Sequence, residues 1–363
     1  MALSILNTRT LIGIEAVQVS VETHISNGLP AFTIVGLPET AVKESKERVR
    51  SALLNSGFDF PDRRITVNLA PAELPKAGGR FDLAIALSVL SASGQVNLGD
   101  YSGSEFHGEL ALDGSLKRVN GLIPAILAAK KSNRRIVLPE ENCREQDLLS
   151  YQASYAARNL SACVAGLSNE NRFRRHRPLN NANSKPCSRN IPIIKGHAEG
   201  KRALLVAAAG RHNLLMVGPP GSGKTLLANA LSRLLPPLSV EQAYEVAAVY
   251  SLTSLGGCAC GNWRCPPLRS PHHTASSIAL SGGGNRQMPG EISLAHNGLL
   301  FLDEFPQFKP SVLDAMREPL ESGFIVVSRA NYRARFPASF QLVAAMNPCP
   351  CGFAGDPGNE CRC

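Results

Sequence analysis

Apolar residues along the first half of the chain fall into two patterns, and each pattern predicts a different element. Short β-branched runs (FTIVGL, RITVNLA and RIVLPE) read as strands. Between them, ETAVKESKERVRSALLNSG and DLAIALSVLSASG show helical periodicity, and Gly57 ends the first of these helices. The segment VNGLIPAILAAKKSNRRIVLPEEN adds a helix followed by a strand. The pattern therefore predicts a mixed α/β domain.

The second half has a different apolar pattern. It opens with a predicted helix, HAEGKRALLVAAAGRH, and a strand, NLLMVG, follows. Two later strands, GLLFLDE and SFQLVAAMN, are continuous apolar runs, which are typical of a parallel sheet covered by helices on both faces. The segment SGFIVVSRANYRARFPASFQLV predicts a strand, a basic tip and a second strand. We expect an α/β domain with a parallel sheet.

A basic, polar stretch separates the two halves. Residues 168–190 carry six Arg or Lys against one Glu, with Asn, Ser and Pro between them. Because this composition buries little apolar surface, it predicts a solvated linker, although contact with a nucleic-acid backbone is an alternative role for its cations. The predicted domains are therefore 1–167 and 191–363.

Composition narrows the class of protein. A chain of 363 residues with 44% hydrophobic content can form more than one core. A net charge of +9 favours an anionic partner such as nucleic acid. No apolar run approaches the roughly 18 residues of a membrane span, and no signal peptide is recognised, so we expect a cytoplasmic protein with no membrane partner. Ten cysteines in a reducing compartment favour metal binding over disulfides.

A glycine-rich motif follows the predicted strand NLLMVG and precedes a predicted helix from Thr225. Its backbone amides and the helix N-terminus are suited to phosphate groups. Lys224 would reach the β- and γ-phosphates, and the Thr225 hydroxyl would bind Mg²⁺. The predicted nucleotide-binding residues are Gly218, Pro219, Pro220, Gly221, Ser222, Gly223, Lys224 and Thr225.

Polar residues at the ends of the two later strands complete a candidate catalytic set with Lys224. Asp303 is placed to hold Mg²⁺, and Glu304 to act as general base for the attacking water. Asn347 ends the last strand, where its side chain would orient that water. The structural alternatives are a helix N-cap for the acidic pair and a strand-end turn for Asn347. Together these motifs favour an ATPase of the P-loop class.

The motifs RHNLLMVGPPGSGKT, RSPHHTAS, PGEISLAHNGLLFLDE, REPLESG and QLVAAMNPCPCG occur in this order. The sequence resembles the Mg-chelatase-like AAA+ family that contains the competence protein ComM and its YifB relatives, over both domains apart from the linker. The resemblance implies a homo-hexameric ATPase that uses ATP and Mg²⁺, with branch-migration helicase activity on DNA in the competence members. It also assigns Asn347 to the sensor-1 position.

Two further segments gain an expectation from the resemblance. The segment SSIALSGGGNRQMPGE resembles the insert in the second helix of this family, with a flexible turn at residues 282–284. The basic hairpin resembles the pre-sensor hairpin that lines the pore of related hexameric helicases. Its candidate DNA contacts are Arg329, Tyr332, Arg333 and Arg335. A hairpin exposed only to solvent is the alternative.

The first domain resembles the Lon-protease-like domain. Aligned on PKAGGRFDLAIAL, the chain has Arg80 where the serine nucleophile would stand. Aligned on NGLIPAILAA, it has Ile123 in place of the lysine. Peptide hydrolysis by that mechanism needs both groups, so the comparison implies a non-proteolytic binding or assembly module.

Cysteine and histidine clusters raise the question of metal sites. Cys349, Cys351, Cys361 and Cys363 lie on a short loop and are candidates for a structural Zn²⁺ site, with unbound thiols as the alternative. A second group, Cys258, Cys260 and Cys265, is a weaker candidate. Adjacent histidines usually point apart, so we expect a phosphate-proximal or packing role for His272 and His273 rather than metal binding.

The end of the sequence carries its own expectation. AAA+ modules continue beyond sensor 1 into a helical lid with arginines that act on ATP, whereas only residues 348–363 follow Asn347 here. The resemblance thus implies a truncated chain, for which poor hydrolysis is expected. Three functions stay open: a DNA motor subunit, a metal-chelatase-type ATPase subunit, and a truncated nucleotide-binding protein without turnover.

Overall fold

The computed structural model describes residues 2–175, 194–254, 256, 263–284, 288–329, 332–351, 354, 361 and 363. The chain divides into two compact units, residues 1–180 and 181–363. Each unit has its own sheet and its own hydrophobic core. No helix in the described residues has the length and apolar character needed to cross a bilayer.

The first unit is a mixed α/β fold. Its strands are β1 (Ala2–Ile12), β2 (Glu15–Ser26), β3 (Ala31–Val35), β4 (Arg64–Ala70), β5 (Glu105–Phe106), β6 (Glu109–Leu110), β7 (Leu116–Lys117), β8 (Ile136–Pro139), β9 (Ser154–Ala157) and β10 (Arg174–Arg175). Its helices are α1 (Thr40–Lys43), α2 (Ser45–Asn55), α3 (Asp82–Ala92), α4 (Leu122–Lys131), α5 (Cys143–Leu149) and α6 (Leu160–Ser168). Within the described residues, one sheet has the order β10-β9-β8-β5-β1-β2-β4-β3.

Helix α3 forms the centre of this unit. Its sequence is apolar on every side, and all of its residues except Ser91 are buried. A helix with this pattern belongs in a core, and α3 packs against β1 and β2. At its first residue, the Asp82 carboxylate accepts hydrogen bonds from the Ser45 hydroxyl, the Arg48 guanidinium and the Leu110 amide. These contacts hold α2 and β6 to the core helix.

A buried ion pair ties the two-residue strand β5 to the long strand β1. Arg9 donates to Glu105 from Nε at 2.7 Å and from Nη2 at 2.6 Å, and the Glu105 side chain is fully buried. Burial raises the pKa of Glu105, but His107 and Arg9 lower it by more, so its pKa lies below the usual value. Because β5 has only two residues and forms few backbone hydrogen bonds, the ion pair helps to fix its position beside β1.

Sequence patterns missed or misjudged three features of this unit. Strands β1 and β2, the longest, were not predicted. In β1, Thr8 and Thr10 are buried while Leu3 and Ile5 are exposed. Strand β2 has ordinary alternation, with Val19, Val21 and Ile25 buried, and this was an available signal. The helix predicted to end at Gly57 is interrupted at Glu44. The linker was expected to begin at residue 168, but residues 170–175 form a 3₁₀ turn and β10, and Phe173 is buried in the core. Residues 176–190 lie outside the description.

The second unit combines a parallel sheet with helices and two hairpins. Its strands are β11 (Leu214–Val217), β12 (Leu268–Arg269), β13 (Gly282–Gly283), β14 (Met288–Pro289), β15 (Leu299–Leu302), β16 (Phe324–Arg329), β17 (Tyr332–Pro337) and β18 (Gln341–Met346). Its helices are α7 (Ala198–Gly210), α8 (Lys224–Leu234), α9 (Val240–Ser251), α10 (Ser277–Ser281), α11 (Glu291–Leu294), α12 (Pro310–Asp314) and α13 (Arg317–Ser322).

The parallel sheet has the order β11-β18-β15-β12 in the described residues, and every pairing in it is parallel. Leu299 and Phe301 point to one face and pack with α7 and α8, whereas Leu300 and Leu302 point to the other and pack with α10 to α12. Because helices cover both faces of the sheet at β15, side chains on both sides of this strand are buried. Strands of this kind are continuous apolar runs. The parallel α/β sheet predicted from those runs is confirmed.

Two elements of this unit differ from the sequence expectations. Of the glycines expected at a flexible turn, Gly282 and Gly283 form β13, which pairs antiparallel with β14, and Gly284 lies in a turn; residues 285–287 lie outside the description. Helix α9 was not predicted, although Ser239 and Gln242 form a capping box at its start. The spacing of a serine and a glutamine three residues later was an available signal for that helix.

Candidate functional site

Three predicted site residues follow strand ends at one edge of the parallel sheet. Val217 pairs with Met346, and Leu302 pairs with Ala344, so β11, β18 and β15 end side by side. The Gly218 amide donates to the Met346 carbonyl at 3.3 Å and continues this ladder by one residue. In open parallel sheets, ligands bind outside the carboxyl ends of the strands. Gly218, Asp303 and Asn347 therefore stand at the edge where a ligand is expected.

The glycine-rich residues 218–223 form the loop between β11 and α8. Gly221 and Gly223 have φ values of 78° and 82°, a region that a side chain with Cβ enters only at a cost. Gly223 caps α8, so the helix begins at Lys224, one residue earlier than predicted, and its amides face the loop. The Ser222 hydroxyl in this loop is buried and has no hydrogen-bond partner among the described residues.

The Lys224 ammonium is surrounded by neutral oxygens. It donates to the carbonyls of Gly218 at 2.8 Å and Pro219 at 3.0 Å, and to Oδ1 of Asn347 at 3.0 Å. Neutral acceptors satisfy the three N–H groups without cancelling the positive charge. The loop thus keeps an attraction for an anion, and phosphate oxygens fit as replacements for these acceptors.

Thr225 and Asp303 form a contact between α8 and the end of β15. The Thr225 hydroxyl donates to Oδ2 of Asp303 at 2.9 Å, and Oδ1 of the same carboxylate accepts from the Glu304 amide at 3.0 Å. A hydroxyl and a carboxylate oxygen held together are the ligand type that Mg²⁺ prefers. This pair fits the predicted Mg²⁺ site.

Glu304 adopts a left-handed backbone conformation, with φ 53° and ψ 44°. That conformation is uncommon for a non-glycine residue and tends to mark functional positions. Glu304 precedes a 3₁₀ turn, yet its carboxylate does not cap it. Instead, Oε2 lies 2.9 Å from Nδ1 of His273. The N-cap alternative therefore does not describe this side chain.

His273, for which the sequence favoured a phosphate-proximal or packing role, contacts Glu304 at this site. Its ring centroid lies 4.1 Å from that of His272, so the expectation that the two rings point apart is wrong. His272 is held in turn by the Thr274 hydroxyl at 2.9 Å. The RSPHHTAS motif was the available signal for these histidines. Because it lies far from Glu304 along the chain, the sequence did not identify the contact between His273 and Glu304.

The basic hairpin β16–β17 separates its side chains by face. Ala334 and Phe336 are buried, whereas Arg333 and Arg335 alternate with them and are exposed. The Arg335 guanidinium lies 3.6 Å from the centroid of the Phe324 ring. Arg329 and Tyr332 form the last described backbone pair before the tip. The side chains of Arg329 and Tyr332 lie outside the description.

The four terminal cysteines converge. Cys349 Sγ lies 3.3 Å from Cys351 Sγ, and Cys361 Sγ lies 3.7 Å from each of them. The Cys351 amide donates to Cys363 Sγ at 3.2 Å, and all four sulfurs lie within 4.8 Å of one another. The hydrogen bond with Cys351 raises the pKa of the Cys363 thiol to about 11. Of the other candidate group, Cys258 and Cys260 lie outside the description.

In the first unit, Arg80 and Ile123 are the two positions compared with a protease dyad, and the Arg80 side chain reaches the segment before the helix that carries Ile123. The Arg80 side chain is buried and donates from Nη2 to the Asn120 carbonyl at 2.6 Å, just before α4. Ile123, in that helix, is fully buried. Burial lowers the pKa of Arg80 to about 10. A guanidinium and an aliphatic chain fill this region, and neither is a nucleophile.

The parallel sheet, with a glycine-rich loop and acidic strand end at one edge, defines an α/β domain of the P-loop type. Residues 190–363 match the family model for magnesium chelatase, subunit ChlI, and residues 21–142 match the model for subunit ChlI of Mg-chelatase. The chain is 51% identical to competence protein ComM of Haemophilus influenzae, over 97% of this chain and 70% of that protein. It is 49% identical to YifB of Escherichia coli, over all of this chain and 71% of that protein.

The chain belongs to the Mg-chelatase-like family that contains ComM and YifB. This membership indicates an AAA+ ATPase. A more distant similarity joins it to the magnesium-chelatase 38 kDa subunit of Rhodobacter capsulatus, at 29% identity over 43% of this chain and 49% of that protein.

Proposed function

We propose that this protein is an ATP-hydrolysing motor subunit of the competence type, which acts on branched or single-stranded DNA in the cytoplasm. One observation carries the proposal. In a member of the ComM and YifB family, Lys224, Asn347 and the Thr225–Asp303 pair come together at one sheet edge, with Glu304 beside them. Separate segments supply these groups, and nucleotide hydrolysis uses all of them.

The proposed chemistry assigns one task to each side chain. Lys224 exchanges the oxygens of Gly218 and Asn347 for phosphate oxygens of ATP. Thr225 and Asp303 hold Mg²⁺, which when bound offsets charge on the phosphates. Glu304 accepts a proton from water as the water oxygen bonds to the γ-phosphorus. The bond from that phosphorus to its bridging oxygen breaks, and ADP and phosphate leave. Asn347, released from Lys224, orients the water.

The pairing of Glu304 with His273 bears on this assignment. A general base must be free to accept a proton, and a carboxylate 2.9 Å from an imidazole nitrogen is held by that contact. In this geometry the Glu304 carboxylate contacts His273. We propose that the carboxylate turns from His273 to water when Mg·ATP binds.

DNA is the proposed anionic partner of the hairpin. Arg333 and Arg335 share its exposed face, so both can meet one backbone. Because Arg335 already contacts Phe324, Arg333 is the more available of the two. We expect Arg333→Ala to weaken DNA binding. The slope of the logarithm of the binding constant against the logarithm of the salt concentration should fall in magnitude by about one. Arg317→Ala is the matched control, since Arg317 is exposed in the same unit and lies outside the hairpin. Equal slopes for the two variants would remove the hairpin from the proposal.

Two further assignments follow from the family resemblance, and a third rests on the convergence of the terminal cysteines. We propose a homo-hexamer, and a Lon-like but non-proteolytic first domain with Arg80 in place of the nucleophile. We also propose Zn²⁺ at the four terminal cysteines. Its role there is structural, because four thiolates leave no open position for a reacting molecule.

A metal-chelatase-type ATPase is the second candidate, and the matched family models favour it. Both candidates use the same nucleotide site, so ATP hydrolysis alone does not separate them. Stimulation of turnover by DNA supports the motor, whereas stimulation only by a tetrapyrrole and Mg²⁺ supports the chelatase.

The deciding experiment measures ATP hydrolysis by the 363-residue chain with and without branched DNA. We expect turnover that DNA stimulates and that Lys224→Ala abolishes. Binding of Mg·ATP without turnover under any condition would contradict the motor and leave a nucleotide-binding protein.

A further inference from the structure

The four-cysteine cluster stands directly beside the nucleotide site along the chain. Only Pro348 separates Cys349 from Asn347, whose Oδ1 accepts from Lys224 at 3.0 Å. On its other side, Asn347 follows Met346, whose carbonyl accepts from the Gly218 amide. The turn that presents Asn347 is therefore bounded by the sheet at one end and by the sulfur cluster at the other.

The sulfur distances match a tetrahedral metal site better than disulfides. With a Zn–S distance of about 2.3 Å, the sulfurs of a tetrahedral site lie about 3.8 Å apart. The three distances among Cys349, Cys351 and Cys361 are 3.3, 3.7 and 3.7 Å. A disulfide needs about 2.05 Å. The fourth sulfur, of Cys363, lies within 4.8 Å of all the others.

Backbone amides also point at the sulfurs. The Ala354 amide donates to Cys349 Sγ at 3.2 Å, and the Cys351 amide donates to Cys363 Sγ at 3.2 Å. Hydrogen bonds of this kind favour the thiolate over the thiol, and the thiolate is the form that binds metal. Two amides directed at sulfur are an observation independent of the cysteine spacing.

We propose that the four thiolates bind one Zn²⁺ and that this metal clamps the turn carrying Asn347. Binding releases the thiol protons to solvent, with no change in oxidation state. Without the metal, no bond joins the four sulfurs, so they no longer hold the turn, and Asn347 loses its fixed position near Lys224. The clamp rests on the proposed function, whereas the metal site does not.

The metal site is tested with cobalt in place of zinc, using the full chain. Four thiolates around Co²⁺ give intense sulfur-to-metal charge-transfer bands together with tetrahedral d–d bands. We expect one equivalent to bind, and Cys361→Ser and Cys363→Ser each to lower the affinity by more than about 100-fold, beyond the effect of altering outer contacts. Cys143→Ser, in α5, is the matched control and should bind normally. Absence of these bands in the unaltered chain would overturn the site.

The clamp has two readouts, and one of them needs no turnover. Hydrogen exchange of amides 343–347 should become at least about 10-fold faster when zinc is removed, since local opening costs less there. Equal exchange with and without zinc would overturn the clamp. Where the chain hydrolyses ATP, Cys361→Ser should lower kcat and leave the affinity for ATP within about two-fold, because Lys224 is unchanged. A chain that binds cobalt but never hydrolyses ATP would refute the proposed function and leave the metal site intact.

Discussion

Asn347→Asp is the substitution that best probes the geometry of the candidate nucleotide site. It replaces a neutral oxygen 3.0 Å from the Lys224 ammonium by a carboxylate of nearly the same shape. In the unliganded protein the new charge pairs with Lys224. In the ATP complex it faces phosphates of the same sign. Both effects oppose ATP binding, so we expect the dissociation constant to rise.

The distance sets the size of the effect. Two unit charges 3.0 Å apart attract by about 1.4 kcal/mol in water and by about 5.5 kcal/mol at an effective dielectric constant of 20. Both side chains are partly exposed, so the lower figure is the safer one. A loss of about 1.4 kcal/mol raises the dissociation constant about 10-fold. Added salt should reduce the effect through screening.

Titration with a fluorescent, non-hydrolysable ATP analogue in Mg²⁺ measures this constant. Asn347→Ala is the matched control, because it removes the amide oxygen without adding charge and should change affinity by less than about three-fold. Turnover should fall in both variants, since neither can orient the water. If the two variants bound the analogue equally well with unaltered circular dichroism, Lys224 would not be a phosphate ligand facing Asn347.

Three other outcomes are expected. Glu304→Gln should lower kcat by about 10²- to 10⁴-fold and retain ATP binding. The control Glu321→Gln, an exposed change on α13, should alter neither quantity. A loss of ATP binding equal to the loss of turnover in Glu304→Gln would contradict the assignment of Glu304 as general base. Thr225→Ala should reduce the gain in ATP affinity that Mg²⁺ produces, measured by titration with Mg²⁺ and with EDTA, and an unchanged gain would remove Thr225 from the metal site. Glu105→Gln should lower the free energy of unfolding of the first unit by about 3–5 kcal/mol in urea, because it leaves Arg9 buried and unneutralised. Burial raises the pKa of Glu105, but His107 and Arg9 lower it by more, so the folded pKa lies below the unfolded one. The stabilisation from Glu105 is therefore complete above the unfolded pKa and is lost as pH falls through the lower folded pKa. A urea midpoint with the same acid dependence in the variant would refute this.

The nucleotide loop and the strand ends were predictable from the sequence because their signals are local. A continuous apolar strand followed by Gly218 to Thr225 specifies a turn and a helix start through backbone requirements alone. Asp303 and Asn347 end strands that are buried on both faces, and parallel strands bring such ends to one edge. The alternation of Arg333 and Arg335 with Ala334 and Phe336 likewise shows which hairpin face is exposed.

The contacts that regulate or support the site depended on the tertiary structure. His273 reaches Glu304 only because β12 lies beside β15, and no local pattern records which strands are neighbours. Strand β1 was not recognised because its two faces break the usual pattern. Thr8 and Thr10 are buried on one face, whereas the other face has exposed Leu3 and Ile5 and the buried ion pair of Arg9. The convergence of Cys361 and Cys363 on Cys349 also depends on the path of the loop, which spacing alone leaves open. The sequence by itself thus determined local backbone conformations, whereas the contacts between distant segments depended on the packed fold.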